Sequence, residues 1–219
     1  MVTYEQIKHD PAINTYITHA DRALQALGYT EHSFAHVSRV SAMAGDILQT
    51  LGHDAHTVEL ARIAGYMHDL GNLVNRVAHS QSGALMAFRI LDHMGMPPQD
   101  LSVIVTAIGN HDEGTGVPVD DVSAALILAD KSDVRRSRVR NADESTFDIH
   151  DRVNFSVERS ELVIADDKKS ILLRLTIDTK YSSIMDYFEI FLGRMTMCRR
   201  AAERLGMRFR LEINGQMLL

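Results

Sequence analysis

The chain has 219 residues, of which 45% are hydrophobic and 24% are charged, and its net charge is −6 at pH 7. This content is enough for one large domain, or for one domain with a small appendage, and it argues against disorder. The negative charge gives no general attraction for nucleic acid or for an anionic membrane. No apolar run is long enough for a membrane span, and the N-terminus has no secretory pattern, so a cytoplasmic protein is expected.

The first 133 residues show apolar positions at helical spacing, divided by glycine, proline and capping residues. Because the single cysteine, Cys198, cannot form an internal disulfide or a thiolate cluster, any metal must be bound by histidine and carboxylate. The pattern predicts helices over residues 4–9, 12–27, 31–51, 57–68, 80–94, 97–108 and 121–133.

The character of the chain changes after residue 136. The segment 137–152 is polar and aperiodic, which predicts a linker or surface loop. Beyond it, strands are predicted at 153–157, 161–165, 171–177 and 207–213, with a helix over 181–205. We therefore expect a mainly α fold, with a helical domain at 1–136 and a small α+β appendage at 153–219. The long helix has apolar residues for two faces, which suggests a homodimer formed through this region.

The pair His68-Asp69 stands where the fourth predicted helix ends. Neighbouring residues of a helix are splayed by about 100°, so both side chains can face one centre only near a helix end, which Gly71 supplies. A metal ion is the natural centre for such a pair. The alternative is a buried histidine that is hydrogen-bonded to the neighbouring carboxylate.

Other polar residues at helix ends or on inner helix faces favour the metal. Metal sites in helical bundles are built from such side chains. The set comprises His36, His68, Asp69, His79, His111 and Asp130.

Both the order and the local context of these residues resemble the HD superfamily of metal-dependent phosphohydrolases over residues 30–133. The resemblance rests on the segments His36-Val37-Ser38-Arg39-Val40, His68-Asp69-Leu70-Gly71, His79-Ser80-Gln81-Ser82-Gly83-Ala84 and Leu128-Ala129-Asp130-Lys131. It implies a helical HD-domain bundle in which His36, His68, Asp69 and Asp130 bind one ion. It also implies that His79 and His111 bind a second ion, with Asp69 as the bridge.

The segment 110–118 resembles the motif that names the HD-GYP branch of the superfamily. This chain has Asn110 where that branch has a first histidine, Val117 where it has tyrosine, and Asn72 where it has lysine. These departures argue against a third metal and against cyclic-di-GMP hydrolysis, so the metal site is carried over and that substrate is not.

The ligand set suits a divalent transition metal such as Mn²⁺, Fe²⁺, Co²⁺, Ni²⁺ or Zn²⁺. We expect hydrolysis of a small-molecule phosphoester, in a nucleotide or a related compound, by metal-activated water. Asp69, with Asp130, would orient that water, while Arg39 or Lys131 would help to neutralise the phosphate. The alternatives are a regulatory module that binds a nucleotide without turnover and a diiron oxygenase.

Two further features have more than one interpretation. His32 lies one turn before His36, so it could be a pocket residue, a ligand or a surface residue. The four arginines between residues 135 and 140 are interpreted as a solvated helix end, with phosphate binding as the alternative.

Overall fold

Seven helices form the first two thirds of the computed structural model, which describes residues 2–219. They are α1 (Tyr4–His9), α2 (Pro11–Ala26), α3 (Phe34–Leu51), α4 (Ala55–Met67), α5 (His79–His93), α6 (Pro98–Gly109) and α7 (Asp121–Lys131). Each predicted helix is confirmed, with ends shifted by up to three residues. The largest shift is at α3, where the side chain of Ser33, and not that of Thr30, caps the helix by accepting from the backbone N–H of Ala35 at 3.3 Å.

Helix α7 is the central element of the core. Every residue from Val122 to Ala129 is buried. The helix packs against α3, α4 and α6, and on its remaining side against the long C-terminal helix. A helix that is apolar on all sides is stable only when it is covered on all sides.

Helices α3 and α4 approach each other closely at Gly65. A Cβ atom at this position would lie 2.7 Å from the Cα and 2.9 Å from the backbone nitrogen of Ser41. The Ser41 hydroxyl donates a hydrogen bond to the carbonyl of Arg62 across the same contact, at 2.8 Å. The missing side chain of Gly65 therefore lets α3 and α4 pack backbone to backbone.

The C-terminal part is a small α+β unit. It consists of α8 (Ile149–Ser156), β1 (Val157–Ile164), β2 (Ser170–Ile177), α9 (Ile184–Arg204), β3 (Arg208–Ile213) and β4 (Gln216–Met217). The strands form one sheet in the order β1-β2-β3-β4. The β1–β2 and β3–β4 pairs are antiparallel and the β2–β3 pair is parallel, with α9 as the crossover between the parallel strands.

The strand predicted at residues 153–157 is wrong for 153–156, which end α8, whereas Val157 begins β1. The side chain of Asp148 caps that helix by accepting from the N–H of Asp151 at 2.8 Å. Val153 and Val157 are both buried, and their spacing of four residues is also the spacing of one helix face. The sequence pattern therefore suits either a strand or a helix, and the N-cap of α8 selects the helix.

The segment from 137 to 152 is folded against the helical part. It contains a short 3-10 turn at Glu144–Thr146 and the start of α8. Arg138 donates from Nε to the carbonyl of Glu31 at 2.8 Å, and Arg140 pairs with Asp21. These contacts hold the start of the C-terminal part close to α2 and α3.

The hydrophobic core is continuous between the helical part and the α+β unit. Buried residues of α9 belong to the same cluster as those of α3, α4 and α7. They include the fully buried Tyr187, with Phe191 and Cys198. None of the helices in residues 2–219 combines the length and the apolar composition that a membrane-spanning segment needs.

Candidate metal centre

The six side chains predicted as metal ligands converge in one place, where Asp69, His79, His111 and Asp130 line a cavity. Some of them lie at the N-terminal end of a helix and others at or just after a C-terminal end. His36 lies in the first turn of α3, His79 is the first residue of α5, and Asp130 lies in the last turn of α7. His68 and Asp69 follow the end of α4, and His111 follows the end of α6. All four imidazoles are buried, because these helix ends converge in the core.

Two histidines and two carboxylates form the first group. The Nε2 atom of His36 lies 3.6 Å from Asp69 Oδ2 and 3.3 Å from Asp130 Oδ1. The Nε2 atom of His68 lies 3.3 Å and 3.7 Å from the same two oxygens. Four atoms about 2.1 Å from a common ion in tetrahedral arrangement would be about 3.4 Å apart. The separations therefore fit a single divalent ion.

The second group uses the other oxygen of Asp69. His79 Nε2 lies 3.7 Å from Asp69 Oδ1 and 3.1 Å from His111 Nε2. His68, Asp69 and His111 also offer ligand atoms within 4.8 Å of one another. Because the two oxygens of Asp69 face different histidine groups, this carboxylate is placed to bridge two ions.

The orientation of each imidazole is fixed by its other nitrogen. His36 Nδ1 lies 2.8 Å from Asp133 Oδ2, and His68 Nδ1 lies 2.8 Å from the carbonyl of Gly65. In the second group, the Nδ1 atoms of His79 and His111 contact backbone carbonyls at 3.1 and 2.6 Å. These acceptors hold the proton on Nδ1 and leave the lone pair on Nε2, which is the arrangement that a ligand histidine needs.

The unsatisfied atoms at the centre support a bound ion. The Nε2 atoms of His36 and His68 and the Oδ2 atom of Asp69 are buried without a hydrogen-bond partner. A buried polar atom left in this state costs about 1–3 kcal/mol. A divalent ion would use all three atoms at once, so the residues fit the metal that the sequence predicts.

The two histidine groups differ in their electrostatics. Burial lowers the pKa of His79, and lowers that of His111 well below the ordinary value, which favours the neutral form that binds metal. Burial also lowers the pKa of His68, but the carboxylates of Asp69 and Asp130 outweigh it and raise the value to about 10. Without a metal, His68 therefore carries a proton where the ion would bind.

Asp133 supports the first group from behind. It is 1% exposed, and it contacts His36 through Oδ2. Its carboxylate also accepts from Arg135 Nε at 2.6 Å and lies 3.1 Å from Arg39 Nε. The hydrogen bonds from His36 and Arg135 hold the pKa of Asp133 far below its usual range, against the effect of burial. Asp133 therefore stays charged, and its carboxylate fixes the orientation of the His36 ring.

A cavity of about 480 Å³ opens above the ligands. The helical part contributes His32, Arg76 and Lys131 to its lining. The C-terminal part contributes Phe191 and Arg194 from α9 and, from α8 and its cap, Asp148, His150, Asp151 and Asn154. The C-terminal unit thus forms one wall of the cavity. His32 lies in the lining of the cavity, which is one of the three positions considered for it.

Of the three residues predicted to be catalytic, Asp69 and Lys131 lie at the cavity and Arg39 does not. Lys131 Nζ is 2.8 Å from Asp130 Oδ2 and 3.4 Å from Glu113 Oε1. Arg39 instead faces Asp133 and a separate groove between α3 and β1. Arg39 follows His36 by one helical turn, but its side chain points towards Asp133 and not into the cavity.

The arginine cluster at residues 135–140 is not a solvated helix end. Arg135 and Arg138 bind Asp133, and Arg138 is 5% exposed. Arg136 lies over the rings of Phe155 and Tyr181, with its guanidinium carbon 4.6 and 5.3 Å from their centroids. The cluster therefore supports a ligand and ties the C-terminal part to the helical part.

Sequence reasoning missed several polar residues at the site, among them Asp133, Arg76 and Arg194. Asp133 could have been found, because it follows Asp130 by one helical turn at the end of α7. Arg76 lies in the loop between two predicted ligands, which is a weak signal. Arg194 has no local signal, because only the packing of α9 on α7 brings it to the cavity.

The chain is similar to known proteins, and a family model covers the region of this site. An uncharacterized protein of Methanocaldococcus jannaschii is 24% identical over 189 residues, which cover 75% of this chain and 72% of the relative. A crystal structure of a predicted HD superfamily hydrolase from an uncultured Thermotogales bacterium aligns with a TM-score of 0.42 and 22% identity, over 62% of this chain and 75% of that one. The model of the HD domain family matches residues 33–152. Because this match includes all six ligand candidates and more than half of the sequence, the chain belongs to the HD domain family.

Proposed function

We propose that the protein is a metal-dependent phosphohydrolase that cleaves a small-molecule phosphoester with water. The observation that carries this proposal is the convergence of four imidazole Nε2 atoms and two carboxylates beside a cavity, with three of these buried atoms lacking a hydrogen-bond partner. HD domains bind divalent metals, and two groups sharing Asp69 suggest two ions. The donor set suits Mn²⁺, Fe²⁺, Co²⁺, Ni²⁺ or Zn²⁺.

Bound divalent ions would supply hydroxide near neutral pH and would neutralise charge on the phosphoryl oxygens. Asp69 faces both histidine groups, so its carboxylate can accept a hydrogen bond from the attacking water and orient it. Asp130 presents Oδ1 to the histidines and Oδ2 to Lys131. Lys131 is 5% exposed, and its ammonium group places a positive charge beside the position of the phosphate.

The cavity supports a substrate of nucleotide size. Its volume of about 480 Å³ lies within the range of roughly 300–1,000 Å³ for small-molecule sites. Its lining combines cationic residues near the ligands with apolar side chains such as Leu27, Ile190 and Phe191. A phosphate at the floor and a flat ring system against these side chains would use both kinds of surface.

Metal content per chain is the first test. Protein purified without chelator should contain about two ions, and His79→Ala and His111→Ala should each retain about one. The loaded protein should then release phosphate from one of a panel of nucleotides and other phosphomonoesters. One ion that is insensitive to both substitutions would contradict the two-metal site. Tight binding of an intact nucleotide without turnover would refute the hydrolase in favour of a regulatory module, and oxygen uptake with Fe²⁺ alone would favour an oxygenase.

We also propose a homodimer formed through the C-terminal part. Met185 and Leu192 of α9 are 75% and 59% exposed, although they are large apolar residues. Light scattering should give twice the mass of one chain, and a monomer that persists at high protein concentration would refute the dimer.

A further inference from the structure

Arg76 occupies the wall of the cavity beside the second ligand group. It lies in the loop between the turn at Leu70–Leu73 and α5. Its Nη1 atom is 3.4 Å from His79 Nε2 and 3.3 Å from the side-chain oxygen of Asn72. Its guanidinium carbon lies 5.7 Å from the centroid of the Tyr29 ring. A cation over a tyrosine ring at this distance is attracted to the face of the ring, which fixes the guanidinium at the cavity.

The loop itself is held in place. The carbonyl of Arg76 accepts from His79 Nδ1, so the same residue that faces the cavity also orients a ligand candidate. Ala78 has a φ of 56°, in the left-handed region that residues with a Cβ rarely adopt. The turn at Ala78 brings the chain back from Arg76 directly into the first turn of α5.

The other lysine and arginine residues of the cavity already have carboxylate partners. Lys131 lies between Asp130 and Glu113, and Arg194 Nε lies 2.6 Å from Glu113 Oε1. Arg138 is held by the carbonyl and carboxylate oxygens of Asp133. Within residues 2–219, Arg76 forms no ion pair with a carboxylate, although its side chain is only partly exposed. Among the described lysine and arginine residues that line the cavity, Arg76 is therefore the one whose charge no carboxylate offsets.

The position of the Arg76 guanidinium determines which class of ligand can bind beside it. A guanidinium beside the nitrogen that would bind a divalent ion is repelled by that ion unless an anion lies between them. A phosphoryl group fits this place, because one of its oxygens can face the metal while two others accept parallel hydrogen bonds from a guanidinium.

We infer that Arg76 binds the phosphate of the substrate together with Lys131, and that it takes the role that the sequence suggested for Arg39 or Lys131. This inference rests on the proposed function. Arg39 cannot take the role in this structure, since its guanidinium faces Asp133 and lies outside the cavity. Arg76 holds the phosphoryl oxygens from the side of His79, and Lys131 approaches from the side of Asp130.

The test compares Arg76→Gln and Arg76→Lys with the natural protein, with Arg89→Gln as the matched control. Arg89 is an exposed arginine of α5 and does not line the cavity. The probe is inorganic phosphate, titrated by calorimetry into Mn²⁺-loaded protein. Metal content is measured on every variant, and kcat and KM are measured with a substrate found in the phosphoester panel.

Arg76→Gln should weaken phosphate binding and raise KM by roughly 10- to 100-fold, the loss expected for a charge-assisted hydrogen-bonded pair. The lysine variant should recover part of this loss because it keeps the charge but not the planar fork. Metal content should remain unchanged, and Arg89→Gln should match the natural protein.

Two results would overturn the inference while leaving the hydrolase intact. One is unchanged phosphate affinity and KM in Arg76→Gln. The other is loss of one metal ion from that variant, which would mean that Arg76 only holds His79 in place for metal binding. If the natural, metal-loaded protein neither binds phosphate nor hydrolyses any phosphoester, the proposed function itself fails.

Discussion

Replacing Gly65 with alanine should destabilise the protein, although alanine is the better helix former. A Cβ at this position would lie 2.7 Å from Ser41 Cα, whereas ordinary contact begins at 3.4 Å, so α3 and α4 must separate by up to about 0.7 Å. Overpacking of this kind costs roughly 1–3 kcal/mol. The gain in helix propensity is about 1 kcal/mol. Because the clashing atoms belong to the backbone and cannot rotate away, the cost should lie at the upper end of this range, and we expect a net loss of up to about 2 kcal/mol in the free energy of unfolding.

The same substitution should weaken metal binding. The carbonyl of Gly65 accepts from His68 Nδ1, and His36 lies on the helix that must move away. A shift of up to about 0.7 Å between the two helices would therefore separate two ligands of the first group. Urea denaturation measures the loss of stability, and titration with Mn²⁺ measures the loss of affinity.

Gly193 provides the control for this experiment. It lies in α9, and a Cβ built there has no heavy atom within 4 Å. Gly193→Ala should therefore gain about 1 kcal/mol from helix propensity alone. If Gly65→Ala proved as stable as Gly193→Ala, with unchanged Mn²⁺ affinity, the close packing of α3 on α4 could not be what positions the metal centre.

Three other predictions concern the metal centre. Asp133→Ala should lower metal affinity about 10- to 100-fold, because His36 loses the acceptor that orients its ring; unchanged affinity by calorimetry would count against that role. Since the pKa of His68 in the metal-free protein is raised to about 10, its proton stabilises the folded state below pH 6.5 and this contribution is lost as the pH rises towards 10. A metal ion must displace this proton, so apparent affinity should increase with pH from 6 to 8, by up to about tenfold per unit, and calorimetry in buffers of different ionisation enthalpy should detect proton release. Chelation should leave the helical circular dichroism intact while lowering Tm, since metal at 100 times its Kd adds only about 2.7 kcal/mol; unfolding on chelation would show that the ligands depend on the ion for their placement.

Local signals were sufficient for most of the helical part and for the ligand candidates. The N-cap and glycine positions defined α4 and α5, and the histidines stood out because each interrupts an apolar pattern at a helix end. The HD resemblance then placed these residues in one site, which periodicity alone could not do.

The features that could not be predicted depend on contacts between distant parts of the chain. Arg39 was expected in the cavity because it follows His36 by one turn, but Asp133 draws its guanidinium away. Arg194 reaches the cavity only through the packing of α9 on α7. Residues 153–156 have spacings that suit a strand or a helix, and the cap at Asp148 decides between them.

The covering of α7 by α9 has a consequence for synthesis of the protein. The HD match ends at residue 152, but the apolar helix that carries Asp130 is covered on its last side only by residues 184–204. A chain emerging from the ribosome would therefore complete all six ligand positions while one side of its central helix was still exposed to water. Such a nascent chain is open to aggregation until α9 has been translated. The C-terminal unit is thus the part that ends this vulnerable period, and a stop codon after residue 152 should yield insoluble protein.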